Sequence, residues 1–239
     1  MTTKIKDKNT RKEKIKSRII KVKPRVYENQ DIVDNVDKIH KEILEVKKNN
    51  HHRDHFFPLL IDKMNLKVGV EIGVDKATFS QHILNRSKIE KYYCVDTWQD
   101  NFGSGFKPDY FAKDGNVRFN EASSNLKDHI DRVMMMRMNS MEAVSKFEDN
   151  SLDFCYIDGD HSLEGIYEDV VHWTPKVKIG GIIAGHDYKD GKNSGINNFF
   201  GEQLDYRIKT VVDDYTDRHG HKLIIVGAMI LSWFFVKNR

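Results

Sequence analysis

Two short stretches of this 239-residue chain gather side chains that can move a proton or hold a cation. One is Asp158-Gly-Asp-His, directly after the apolar run Leu152–Ile157; the other is His186-Asp187-Tyr188, after Gly181–Ala184. If both runs are neighbouring strands, Asp158 and Asp187 end side by side. Two carboxylates so placed repel, and a hard, oxygen-preferring ion such as Mg²⁺ or another divalent metal relieves that repulsion. Asp158, Asp187 and His186 are therefore candidate metal ligands. His161 is a candidate catalytic base, because an imidazole can take a proton from a hydroxyl near neutral pH. Asp160 is the rival base. A plainer reading also exists: Asp160 and Ser162 suit the cap of a helix starting near Leu163, and His186 suits a strand end. Five such groups at the ends of two consecutive strands favour a site.

A third stretch is built to hold a ligand. In Glu71-Ile-Gly-Val-Asp-Lys-Ala, Gly73 follows a strand and lets backbone approach a ligand closely. The next helix offers free N–H groups to a carboxylate or phosphate. Asp96, 25 positions after Glu71, ends the second strand, where an acid bonds ribose hydroxyls. A nicotinamide cofactor calls for Gly-x-Gly-x-x-Gly, and this chain has only Gly73, with Ala77 at a later glycine position. Glu71 suits the amino group of an amino-acid-like ligand. Together these tilt the expectation from NAD toward S-adenosylmethionine.

The elements that must position these groups alternate. Strands are expected at Lys67–Ile72, Lys91–Val95, Arg132–Arg137, Leu152–Ile157 and Gly181–Ala184. Helices are expected at Lys76–Asn85, Asn120–Lys127, Ser140–Phe147, Leu163–Trp173 and Ile196–Leu204. Two closing strands, Arg207–Val212 and one within Leu223–Val236, suit an antiparallel edge hairpin. Such alternation implies an α/β fold with a doubly wound, mostly parallel sheet, whose first strands are apolar enough to be buried on both faces. Met134-Met-Met reads as core filling. Upstream, Asp31–Lys48 has apolar residues at helical spacing, suited to packing on the domain or on a second subunit in a homodimer. A short helix is expected at Leu59–Met64. Between them, His51, His52 and His55 match no zinc pattern and suit a place near the ligand mouth. Residues 99–118, with Phe102, Phe106, Tyr110 and Phe111, read as a substrate lid.

The net charge of +3 is uneven: residues 1–24 alone carry +8, leaving −5 on the rest. The basicity belongs to a tail, expected to be disordered over 1–27. It can touch phosphates, yet the acidic remainder makes nucleic acid an unfavoured partner. Cys94 and Cys155 sit in apolar runs and make no disulfide framework. Leu223–Val236 is too short to span a bilayer and reads as strand. A cytoplasmic protein without a membrane span is expected.

Leu152-Asp-Phe-Cys-Tyr-Ile-Asp-Gly-Asp-His-Ser-Leu-Glu-Gly, Trp173-Thr-Pro and Gly180-Gly-Ile-Ile-Ala-Gly-His-Asp-Tyr resemble the class I methyltransferases that include the macrocin and sugar O-methyltransferases. Val70-Glu-Ile-Gly-Val, Val95-Asp-Thr-Trp and Ser232-Trp-Phe-Phe-Val-Lys fit the same family. The resemblance implies a Rossmann-like, seven-stranded sheet in a methyltransferase domain over 65–239, with residues 28–64 as a helical extension. It implies that Glu71, Gly73, Asp96 and Thr97 hold S-adenosylmethionine, that Asn139 and Ser140 lie near its adenine, and that Asp158 borders it. It further implies a divalent metal on Asp158 and Asp187, His161 as base, and a sugar, glycan or other small-molecule hydroxyl as acceptor. His186 stands where better-characterised metal-dependent members, the catechol type included, carry an acid or amide ligand. Two rivals stand beside this expectation: a nucleic-acid methyltransferase anchored by the basic tail, and a non-catalytic module that keeps the cofactor pocket.

Overall fold

The computed structural model describes residues 29–46, 52–99, 115–197, 203–227 and 230–239. The basic tail, His51 and the aromatic loop residues Phe102, Phe106, Tyr110 and Phe111 lie outside these.

Helices α1 (Gln30–Val46) and α2 (Arg53–Lys63) precede the sheet. Then come β1 (Val68–Ile72), α3 (Thr78–Arg86), β2 (Lys91–Asp96), α4 (Gly115–Leu126), β3 (Val133–Arg137), α5 (Ser140–Val144), β4 (Leu152–Ile157), α6 (Leu163–Trp173) and β5 (Val177–Gly185). The chain closes with β6 (Asp190–Asn197), β7 (Gln203–Arg207), α7 (Ile208–His219), β8 (Leu223–Val226) and β9 (Ser232–Val236).

Seven strands form one sheet in the order β3-β2-β1-β4-β5-β9-β8, and β6 pairs with β7 separately. The first five are parallel, while β9 runs antiparallel to both β5 and β8. Strand order reverses between β1 and β4, the place where ligands bind in open α/β sheets.

The strand period of two divides the core. Phe154 and Tyr156 face one side, under Phe56 and Phe57 of α2 and Val36 and Ile43 of α1. Val70, Ile72, Cys155 and Ile157 face the other, under Trp173 of α6 and Val212 of α7. The amphipathic upstream helix thus lies on the domain core. Both cysteines are buried and free. Among the described residues no helix is long and apolar enough to cross a membrane.

Three expectations fail at particular elements. The expected Ile196–Leu204 helix is absent where described: Asp190–Asn197 and Gln203–Arg207 are antiparallel strands. The expected strand Arg207–Val212 is the start of α7, whose buried Ile208, Val211, Val212 and Thr216 are spaced for a helix. The edge hairpin lies wholly within Leu223–Val236, as β8 and β9. Met134 is 49% exposed, because β3 is an edge strand with β2 as its single partner in the sheet.

Candidate active site

A cavity of about 680 Å³ opens beyond the carboxyl ends of β1 to β4, a size suited to a cofactor-scale ligand. Its floor is the turn after β1. Gly73 has φ +84, and a Cβ there would lie 2.2 Å from the Asp158 carbonyl oxygen. Gly73 N donates to Val95 O at 2.9 Å and Asp158 N to Ile72 O at 2.8 Å, so the turn binds β2, β1 and β4 together. Ala77 precedes α3 in the left-handed region, and no side chain caps the helix. Its first N–H groups therefore remain for a ligand.

Asp96 ends β2 at the cavity wall. Its Oδ2 accepts from Asp75 N and its Oδ1 from Trp98 N, both at 2.8 Å. The carboxylate is fixed while each oxygen keeps a lone pair. Thr97 lies beside it on the wall. Among the described residues Asp75 Oδ1 is buried without a well-formed hydrogen bond, with Arg118 Nη1 3.5 Å away. A fixed diol acceptor, an uncapped helix start and an under-satisfied carboxylate fit a nucleoside bearing an amino acid.

Glu71 borders the cavity, but its Oε2 accepts from Ser80 Oγ at 2.5 Å and Tyr92 OH at 3.2 Å. Burial pushes this carboxyl up to about 8, against the bond from Ser80 and the charge of Arg53. The folded state therefore keeps a proton that the unfolded chain loses near 4.5. That stability contribution is complete below the unfolded value and is lost as pH rises toward about 8. Glu71→Gln, which has no proton to lose, should gain stability relative to the parent between acidic and mildly alkaline pH. Urea unfolding across that range checks this; a constant difference would show that Glu71 is ionised throughout.

Asn139 caps α5, its Oδ1 accepting from Glu142 N at 2.8 Å. Ser140 Oγ donates to Asp169 and accepts from Trp173 Nε1 at 2.7 Å. Both residues line the cavity. Asp169 was not foreseen. Burial pushes its carboxyl up to about 7, opposed by the Ser140 bond.

The proton-handling groups meet at the far end. His161 Nε2 lies 3.3 Å from Asp158 Oδ1, and its Nδ1 lies 3.6 Å from Asp187 Oδ2. His186 Nδ1 is 3.6 Å from Asp158 Oδ1 and 3.8 Å from Asp187 Oδ2. Burial pulls the His161 pKa down, but Asp158, then Asp187 and Asp160, hold it above its ordinary value. Burial also opposes ionisation of Asp158, yet bonds from His161 and His186 and the charge of Arg53 hold it far below the usual carboxylate range. Asp160 Oδ1 accepts from Ser162 N at 2.9 Å, and Ser162 caps α6, so the plainer reading of this pair describes a real local function.

Two further residues that the sequence does not mark reach the site. Tyr206 of β7 lines the cavity and tilts against the His161 ring at 5.4 Å. Arg53 of α2 sets its Nη1 2.6 Å from Asp158 Oδ2. The neighbouring histidines stay local: His52 caps α2, and His55 Nδ1 lies 3.3 Å from Arg86 Nη1.

The expected metal ligands are thus drawn together, but as an ion-paired cluster. Asp158 faces Arg53 with one oxygen and two imidazoles with the other, and Asp187 faces imidazoles and Lys189 Nζ at 3.4 Å. Among the described residues no group of three or more His, Cys, Asp or Glu is arranged to hold a metal ion. This donor set does not fit a resident hard divalent cation, which takes its ligands from oxygen.

Comparison with known proteins bears on the family and the fold. Residues 66–188, just over half the chain, match a family model described as a methyltransferase domain. No curated protein matches. Among solved structures, a Bacillus cereus O-methyltransferase in complex with SAH is similar at TM-score 0.54 and 13% identity, covering 87% of this chain and 96% of that one. A candidate caffeoyl-CoA O-methyltransferase from Staphylococcus aureus is similar at TM-score 0.59 and 15% identity, covering 84% and 91%. An O-methyltransferase family protein from Burkholderia thailandensis has TM-score 0.54 at 10% identity, covering 84% and 59%. At such identities the likeness is one of fold.

Proposed function

We propose that this chain, which belongs to the methyltransferase-domain family, transfers the methyl group of S-adenosylmethionine to a hydroxyl of a small molecule or glycan. The observation that carries this reading is the Asp158–His161 pair, 3.3 Å apart, at the end of a cavity that also holds Gly73 and Asp96.

Asp96 would hold the ribose diol, and the start of α3 the carboxylate. Asn139 and Ser140, which line the cavity, would border the adenine. When bound, S-adenosylmethionine supplies an electrophilic methyl, and its transfer to a hydroxyl leaves one proton to be placed. Asp158 selects the Nε2–H form of His161 by accepting from that nitrogen. Nδ1 lies beyond hydrogen-bond distance of Asp187 and is the nitrogen left to take the proton. Positioning of the two reactants does the larger share of the work. Asp160 has no part in it, since its carboxylate is turned to the α6 cap. No step passes through a metal.

A panel of catechols, phenols, alcohols, methyl glycosides and amines, supplied with S-adenosylmethionine carrying a labelled methyl, tests this. Label should appear on oxygen in at least one class; label on nitrogen alone would sink the hydroxyl reading. The cofactor half is tested apart. Asp96→Ala should weaken S-adenosylmethionine binding roughly 10–100-fold by calorimetry, as expected for lost hydrogen bonds to a charged group. An unchanged affinity would place the ribose elsewhere.

A further inference from the structure

We propose that Arg53, delivered by a helix outside the matched region, supplies the fixed positive charge at the acceptor end of this site, so that methyl transfer requires no divalent metal. This rests on the methyl-transfer reading above and adds to it the means by which paired acids are tolerated there.

Arg53 is 105 residues from Asp158 in sequence, yet its Nη1 stands 2.6 Å from Asp158 Oδ2 and 3.2 Å from Tyr156 OH. The Tyr156 hydroxyl is in turn 3.4 Å from Ser232 Oγ. The guanidinium lies 5.0 Å from the Phe79 ring centroid. Behind it, Phe56, Phe57, Leu60 and Ile61 of α2 are fully buried against the sheet, so the first turn of the helix has little freedom to withdraw. The side chains of Arg53 and Asp158 are 20% and 17% exposed. At that burial an unpaired carboxylate is costly, and a planar, permanently charged guanidinium suits it well.

Nitrogen groups of this chain surround the acid pair: Lys189 Nζ lies 3.4 Å from Asp187 Oδ1, and the Nδ1 atoms of His161 and His186 lie 3.6 and 3.8 Å from its Oδ2. Arg53 covers one oxygen of Asp158, and His161 and His186 approach the other. Arg53 acts through Asp158 and is therefore a positioning residue. By holding Oδ2 it turns Oδ1 to His161 Nε2, which leaves Nδ1 toward the acceptor.

The test needs no acceptor. Mn²⁺ is titrated into the full chain and followed by its electron paramagnetic resonance signal, with S-adenosylmethionine calorimetry on the same samples. The parent should leave equimolar Mn²⁺ free. Arg53→Met should bind it, because Asp158 Oδ2 is then uncovered beside Asp187, and Arg53→Lys should exclude it as the parent does. Should Arg53→Met fail to fold, Arg53→Gln carries the same comparison. Mn²⁺ binding by the parent that Asp158→Asn abolishes would overturn the proposal. So would a folded Arg53→Met or Arg53→Gln that gains no Mn²⁺ affinity. Failure of the parent to bind S-adenosylmethionine would instead strike the methyl-transfer reading, which the Mn²⁺ titrations do not depend on.

Discussion

His161→Gln should lower kcat by about 10²–10⁴-fold, the usual contribution of a positioned base, with S-adenosylmethionine affinity nearly unchanged. The reason lies in the placement of the ring. Asp158 accepts from Nε2 and stands far below the usual carboxylate range, so it stays ionised across working pH and keeps the imidazole in one tautomer. Glutamine preserves a hydrogen bond to Asp158 but offers no group that takes a proton. The pH profile carries a second signature. Burial lowers the His161 pKa, and the acids around it more than offset this, so the imidazole remains protonated to a higher pH than a free histidine. A base must be neutral to act. Parent kcat should therefore rise with pH through that raised value and level off above it, and the rise should vanish in His161→Gln. Equal profiles in parent and variant would remove His161 from proton transfer.

Gly73→Ala should be the most disruptive single-methyl change in the cofactor half of the site. Two costs add there. The left-handed φ of +84 disfavours any Cβ by about 1–2 kcal/mol. The added carbon would also lie 2.2 Å from Asp158 O and 2.6 Å from Gly159 Cα, which are backbone atoms with no rotamer to escape into. Relief requires parting β1 from β4, where Asp158 N bonds Ile72 O. A loss of at least about 3 kcal/mol is expected, among the large values for point substitutions, or roughly 6–12 °C in Tm for a chain of this size. Gly180→Ala is the control. It shares a positive φ of +85, but its Cβ would meet only Ile32 Cδ1, at 4.0 Å. If the two variants melt alike, the close approach of β1 and β4 at Gly73 is not a constraint.

The parts legible in the sequence were those written as contiguous apolar runs ending in acids. Leu152–Ile157 and Lys91–Asp96 announced both their burial and the groups at their ends, and the sheet delivered Asp96, Asp158, His161 and Asp187 to one cavity. Asp190–Asn197 carries no such pattern: its Asp-Gly-Lys-Asn-Ser-Gly opening alternates nothing, and the sequence predicts helix over Ile196–Leu204, within the hairpin that brings Tyr206 to His161. Arg53 is delivered by α2, and nothing local to His52-Arg53-Asp54 marks the contact with Asp158. Asp169 left a trace that was readable. It shares the buried stripe of α6 with Ile166, Val170 and Trp173, and a carboxyl on such a stripe needs a partner. Glu71 is expected to hold the cofactor's amino group from its acidic type before the turn and from the resemblance, and it lines the cavity. Its bonds to Ser80 and Tyr92 depend on the pairing of β1 with β2 and on the packing of α3, neither of which its local sequence specifies.

Calorimetry of S-adenosylmethionine and NAD against the full chain, in the presence of a chelator, bears most directly on the site built by Gly73, Asp96 and Asp158. The arrangement of these residues predicts one S-adenosylmethionine bound per chain, no need for added metal, and no heat from NAD. Binding of NAD without S-adenosylmethionine would contradict it.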